Sequence, residues 1–367
     1  MRLSKMTLLI GSLLFVSLDS VSAADVRAYL YNPAVDSAVF KYPYPHEVET
    51  VEYHPFLVIA GSDVAEGEYE LSYSLERDSQ ALLTGSCQVI TMGRLFVTEI
   101  KLKEKYPAAQ AVRWELKGAA SGILKGLAPL KWSRFRGLVK FRDPQIRQSA
   151  TIELSSWGFG APGRIQIPVA EDGRFEALVP ARVYKVLNAN STGYRYNAME
   201  RWGWDYDLTR DREDEFVIGR IEIYGLHAFK ITGGPSTILI AFRPTALSRV
   251  LRFDEDHDGL IDPKEFEKMS EALKHSFTAI GPELKAENIK AWVDGKAYPV
   301  VQLTQLPEFN GQDRYQVLYL VQLFLDRPLS LGEPHEIKIE VESEEELNGQ
   351  KVRDWGQGSV GYFPTIF

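Results

Sequence analysis

Over much of the chain, apolar and polar residues alternate one for one. Tyr69, Leu71, Tyr73 and Leu75 are separated by Glu70, Ser72 and Ser74; Phe96, Thr98, Ile100 and Leu102 repeat the pattern, as do Ile337, Ile339 and Val341. Successive side chains of a strand point to opposite faces, so a period of two predicts half-buried strands. Asp172-Gly173, Asp294-Gly295 and Asn348-Gly349 are hairpin-type turns, because Asn, Asp and Gly tolerate the positive φ that tight connections need. Turn signals recurring about every 8–12 residues predict an all-β, multidomain chain of β-sandwiches rather than helix-covered sheets.

The helical period is confined to one stretch. Ala246, Val250 and Phe253 fall on one face of an incoming helix, and Phe266, Met269 and Leu273 on one face of an outgoing one. Between them runs Asp254-Glu255-Asp256-His257-Asp258-Gly259-Leu260-Ile261-Asp262-Pro263-Lys264-Glu265. Calcium is a hard cation that takes oxygen ligands, and this loop offers them in order. Asp254, Asp256 and Asp258 provide short carboxylates, and Gly259 allows the sharp turn. Leu260 provides a backbone carbonyl, Asp262 a ligand through water, and Glu265 two oxygens that close the site. Ile261 is expected to point inward, and Pro263 begins the outgoing helix, where a missing N–H costs little. Over 244–277 the sequence resembles the EF-hand family, which implies Ca2+ as cofactor. EF-hands usually come in pairs, and no second loop is found here. A lone loop implies affinity at the extracellular end of the range, about 10⁻⁴–10⁻³ M, and a structural clasp rather than a sensor.

A chain of 367 residues is long enough for several cores. We divide it into a signal peptide (1–23), a first β-sandwich (24–133), a second (134–243), the EF-hand insert (244–279) and a last sandwich (280–367). Gly137-Leu138-Val139, Ala150–Leu154, Asp172-Gly173-Arg174-Phe175 and Pro180–Val186 resemble carboxypeptidase regulatory-like modules, which implies an accessory scaffold. The resemblance implies a transthyretin-like β-sandwich, although after Val186 an aromatic and acidic stretch replaces the short final strands of that pattern. Pro328-Leu329-Ser330-Leu331-Gly332 followed by Glu336–Glu342 is similar to bacterial immunoglobulin-like modules, which implies a fold only.

Export is expected from the first residues. Arg2 and Lys5 are followed by the apolar run Met6–Leu18 and by Val21-Ser22-Ala23, the signature of a cleaved signal peptide. No later stretch approaches the roughly 20 apolar residues of a transmembrane helix. Lys and Arg total 42 against 50 Asp and Glu, a net charge of −8; losing Arg2, Lys5 and Asp19 removes +1 and leaves −9. That sign disfavours nucleic acid as a partner. Cys87 is the single cysteine, so no intrachain disulfide can form, and it is expected to be a buried small hydrophobe.

Other signals carry less. Trp202, Trp204 and Tyr206 stand among Asp205, Asp207, Asp211, Asp214 and Glu215, a mixture that serves as core plus solvated acids, as a glycan or ligand platform, or as a second, irregular calcium site. Asn190-Ser191-Thr192 is a glycosylation sequon. Gly356-Gln357-Gly358-Ser359-Val360-Gly361 has dinucleotide-loop spacing without room for a βαβ unit, and is expected to be a run of β-turns. The six histidines lack zinc-ligand spacing, and no catalytic set is read. The expectation is an exported calcium-binding β-sandwich protein, extracellular, cell-surface or periplasmic, with an accessory, adhesion or scaffold role and a glycan or protein ligand. The alternative is a calcium-dependent carbohydrate-binding protein or carbohydrate-active enzyme using the aromatic–acidic stretch 202–215.

Overall fold

The computed structural model describes residues 25–31, 37–41, 48–52, 56–62, 64–91, 95–106, 109–118, 122–146, 148–155, 165–231, 236–256, 258, 261–311 and 314–364. The expected signal peptide lies outside them. The chain forms two compact units, one built on Ile59–Thr98 and Ala108–Pro129, the other mainly on Leu130–Phe367. Ahead of the larger segment run β1 (Asp25–Tyr31), the β2 (Ser37–Lys41) and β3 (Val48–Glu52) pair, and β4 (Phe56–Ser62).

The smaller unit is an antiparallel sheet of β5 (Gly67–Arg77), β6 (Gln80–Thr91), β8 (Ala111–Gly118) and β9 (Gly122–Pro129), in the order β6-β5-β8-β9; β7 (Leu95–Lys101) pairs with β4. The alternation read for 69–75 places Tyr69, Leu71 and Leu75 inside, alongside Val112, Trp114 and Leu116 of β8. Asp78 and Ser79, at φ 49° and 65°, make the β5–β6 turn. Cys87 departs from expectation. It is half-buried, with Sγ 3.8 Å from Thr98 Oγ1, because β6 is an edge strand with one wet face.

The larger unit contains two sandwiches. In the first, β13 (Arg174–Pro180), β10 (Trp132–Phe141) and β16 (Arg212–Ile218) form one sheet. Facing it are β12 (Ile165–Pro168), β11 (Ala150–Ser155), β14 (Arg182–Ser191) and β15 (Arg201–Leu208). Phe135, Phe175, Tyr206 and Phe216 form the ring cluster of its core. The second sandwich sets β17 (Ile221–Phe229), β18 (Thr237–Ala246), β22 (Arg314–Phe324) and β21 (Val300–Gly311) against β24 (Gln350–Tyr362), β23 (His335–Leu347), β19 (Ile289–Val293) and β20 (Lys296–Tyr298). Ile337, Ile339 and Val341, read as one face of a strand, are fully buried there with Ile240, Phe242 and Tyr319. Residues 221–243, grouped by sequence with the preceding sandwich, thus belong to the second one: β17 pairs with β18, β18 pairs with β22 through Thr237–Phe242, and the boundary expected at 243 falls within β18.

One eight-stranded sheet runs through both sandwiches, in the order β12-β11-β14-β15-β24-β23-β19-β20. Its seam is a short parallel pairing, Gly203 with Ser359 and Trp204 with Val360. The glycines expected to form β-turns at 356–361 lie instead inside β24. A Cβ at Gly356 would come within 1.9 Å of the Ile221 carbonyl oxygen, and one at Gly361 within 2.1 Å of that of Asp205. Their role is steric, since crossing backbones approach too closely for any side chain. The turns at 294–295 and 348–349 do take left-handed backbone, with Asp294, Gly295, Asn348 and Gly349 at φ 50°, 77°, 52° and 74°.

Candidate functional site

The calcium-type loop lies between β18 and β19. The incoming helix, expected from residue 244, is shorter: β18 continues to Ala246, and only α1 (Leu247–Val250) and a 3-10 turn (Leu251–Phe253) precede the loop. The outgoing helix is α2 (Pro263–His275), with Pro263 in its first turn. Asp262 Oδ1 accepts from Glu265 N at 2.9 Å, and Glu265 Oε2 accepts from Asp262 N at 2.8 Å, a reciprocal cap that fixes where the helix begins. Glu265 Oε1 accepts from Glu255 N at 2.5 Å, drawing the start of the loop onto the helix. Asp256 Oδ1 accepts from Asp258 N at 3.2 Å, which tightens the turn between them.

Asp254, Asp256 and Glu265 thereby bring a carboxylate oxygen each to within 4.8 Å of one another, and Asp254 and Glu265 are buried. Of the other expected ligands, Asp258 is exposed and outside this trio, Asp262 is spent on the cap, and Leu260 lies outside the described residues. Ile261 points inward as expected, buried with Val250 and Met269 and backed by Phe253 and Ile280. Phe266, expected on the buried face of α2, is 39% exposed, whereas Met269 and Leu273 are buried.

Sequence reasoning missed how this insert is fastened. Asp354 of β24 is fully buried and accepts from Arg220 Nε at 2.7 Å, Ser248 N at 2.9 Å and Ser248 Oγ at 3.0 Å. Glu345 of β23, also buried, accepts from Arg249 Nε at 2.8 Å and Arg252 Nη2 at 3.3 Å. Leu247 packs with Tyr194 and Met199 of the first sandwich, and burial together with the charge of Asp258 pushes the Tyr196 phenol up. The loop therefore sits where both sandwiches meet. No periodicity signals such pairs, whose partners are about a hundred residues apart (106 for Ser248 and Asp354).

The aromatic–acidic stretch divides. Trp202 and Trp204 stack at 5.6 Å in the second core, with Tyr224 edge-on to both, whereas Tyr206 packs in the first. Asp205, at φ 46°, stands where the rings change core. Trp202 Nε1 donates to Glu222 Oε1 at 3.0 Å, and Tyr194 donates to Glu222 Oε2 at 3.2 Å. Burial raises the carboxyls of Glu222 and Glu200 above the ordinary range. These tryptophans form no exposed platform. The acids beyond them border a cleft of about 440 Å³ beside β23. There Arg212 bridges Asp214 and Glu336 at 2.5 Å each, and Tyr206 donates to Asp214. Burial first, and then the Glu336 charge, push the Asp214 carboxyl up to about 7. Asn190 of the sequon is buried within β14, its side chain accepting from Ser191 N, so the folded chain does not present it for glycosylation.

Among the described residues no helix is long and apolar enough to cross a membrane. No family model matches the chain, and a search of curated proteins finds no match. Among solved structures, a carbohydrate binding protein of Bacteroides uniformis, so named provisionally, is similar at 12% identity and a TM-score of 0.19, over 63% of this chain and 98% of that one. DUF3823 family proteins of Parabacteroides merdae and Bacteroides ovatus are similar at 11% and 8% identity, with TM-scores of 0.20 and 0.18; they cover 63% and 62% of this chain and 99% and 98% of their own. At such TM-scores these likenesses carry no argument; the assignment of an all-β chain with stacked sandwiches rests on the strands and cores themselves.

Proposed function

We propose that the chain is an exported accessory or adhesion-type protein in which calcium, held by the 254–265 loop, braces the two sandwiches of the larger unit. The convergence of Asp254, Asp256 and Glu265 within 4.8 Å carries this reading. Three carboxylates that close repel one another, and a divalent cation turns the repulsion into attraction. The donor set fits: all are hard oxygens, and an oxygen that accepts one backbone N–H keeps a second lone pair for an ion. Asp254, Asp256 and Glu265 would hold calcium directly, with the Leu260 carbonyl and Asp258 as the remaining expected ligands. Its chemistry there is charge neutralisation, not catalysis. The bracing follows from α1, whose Ser248 and Arg249 are anchored on Asp354 and Glu345.

Differential scanning calorimetry with calcium and with chelator tests this. For a Kd of about 10⁻⁴ M and roughly 2 mM calcium, binding to the folded state alone adds about 1.8 kcal/mol. In a unit of this size that raises Tm by about 4–7 °C. Magnesium, which demands tight octahedral coordination, should substitute poorly, and Glu265→Gln should abolish most of the shift. A wild-type Tm indifferent to millimolar calcium would overturn the reading.

A further inference from the structure

We propose that the cleft between β16 and β23 is a subsite for a neutral saccharide, independent of the calcium loop. Its volume, about 440 Å³, lies in the range of about 300–1,000 Å³ typical of small-molecule sites. Most charges around it are already engaged. Arg212 is taken by Asp214 and Glu336, Asp294 pairs with His335 at 2.7 Å, and Glu213 pairs with Arg136 at 2.7 Å.

The groups left over form a mixed set. Asp207 accepts from Thr209 N and Oγ1 through Oδ1, and Asp211 accepts from Arg134 N through Oδ1. Each is thus held by one oxygen, and among the described residues Oδ2 carries no hydrogen bond. The Arg210 guanidinium has no ion pair among the described residues. The buried Ser359 hydroxyl accepts from Arg201 Nη2 at 2.9 Å, which leaves its own O–H to donate. Phe363 presents a ring at the rim, 40% exposed. Fixed acceptors, free donors and one aromatic face are what a sugar requires, because its hydroxyls both donate and accept while its C–H face packs on a ring. An anion would meet the surplus of carboxylates. A cation would find Arg212 already neutralising the deepest pair, and the polar walls offer little to an apolar ligand.

The test uses the full secreted chain in calcium. A glycan array, followed by calorimetry with glucose, galactose, mannose, N-acetylglucosamine and their disaccharides, supplies the neutral probes; free arginine and acetate are the charged controls. At least one neutral sugar should bind and the controls should not. Phe363→Ala and Asp211→Asn, both at exposed positions, should each weaken binding by about tenfold or more at unchanged Tm, as expected for one lost contact. Glu265→Gln should leave sugar affinity unchanged, which separates this proposal from the calcium reading. Absence of binding across the array and the probes, sugar binding that survives both variants, or preferential binding of arginine would overturn it.

Discussion

Replacing Trp202 by alanine should be among the most damaging single changes in the larger unit. The indole is 2% exposed, stacked on Trp204 at 5.6 Å and edge-on to Tyr224 at 5.2 Å. Truncating a buried Trp to Ala costs about 3–5 kcal/mol through lost transfer energy and the cavity left behind. The change also removes the Nε1–H donor to the buried Glu222, which adds about 1–3 kcal/mol. The second cost falls toward its lower end, because Tyr194 still donates to Glu222 and burial already favours the protonated carboxyl. The expected loss is about 5 kcal/mol, a large share of the roughly 5–15 kcal/mol of a typical domain. Trp202→Phe keeps part of the stack and loses the donor together with a smaller volume than alanine does, so it should cost less, about 2–3 kcal/mol. Urea unfolding followed by far-ultraviolet circular dichroism measures both, read from the transition of the larger unit at unchanged m. A loss below about 1 kcal/mol for Trp202→Ala, or equal losses for the two variants, would refute the argument from burial and from the Glu222 bond.

Two further outcomes are expected. In chelator, Tm should fall as pH rises from about 4 to about 7, because Asp214, whose carboxyl is pushed up to about 7, keeps a proton in the folded state that the unfolded chain releases near pH 4, and the raised Glu200 and Glu222 act in the same direction. The raised His335 acts in the same direction and the lowered His227 opposes it; Asp214→Asn should flatten the slope, and a Tm that climbs over this window would refute the assignment. Gly356→Ala should cost about 1–3 kcal/mol or more in urea unfolding, because its Cβ would strike the Ile221 carbonyl. Gly349→Ala, at φ 74° with open space around it, should cost only about 1 kcal/mol, and a reversed order would show that the β24 glycines are not there for close approach.

What could be read in advance follows from how local each signal is. The convergence of Asp254, Asp256 and Glu265 was legible because they stand within twelve residues of one another, and the strands at 69–75 and 337–341 because alternation is a local property. Partner choice is not local. Nothing within 221–246 states that β18 will pair with Ile238 opposite Leu323 rather than close the sandwich before it. The β24 glycines misled for a similar reason, since glycine serves equally for a turn and for a backbone crossing, and only Ile221 and Asp205 decide between them. Trp202, Trp204 and Tyr206 share an alternating spacing, yet Asp205 adopts left-handed backbone and the rings part into different cores. The cleft beside β23 was half legible: Asp207, Asp211 and Asp214 lie in the aromatic–acidic stretch singled out by sequence, whereas Asp294, Glu336 and Phe363 come from distant segments that only the fold brings to it.

The shared strand also sets a timetable for folding. Arg201 of β15 and Ser359 of β24, which hydrogen-bond across the seam, are 158 residues apart in sequence. A ribosome working at about 5–20 residues per second needs roughly 8–30 s to make that interval. Until then β15 is an open edge with unpaired N–H and C=O groups, and Trp202 and Trp204 have no second core to enter. Contacts of such long range are slow to form once the chain is complete, so the nascent protein passes through a state that exposes both a sticky edge and two large rings. Its yield on expression should therefore depend less on final stability than on what shields β15 during that interval.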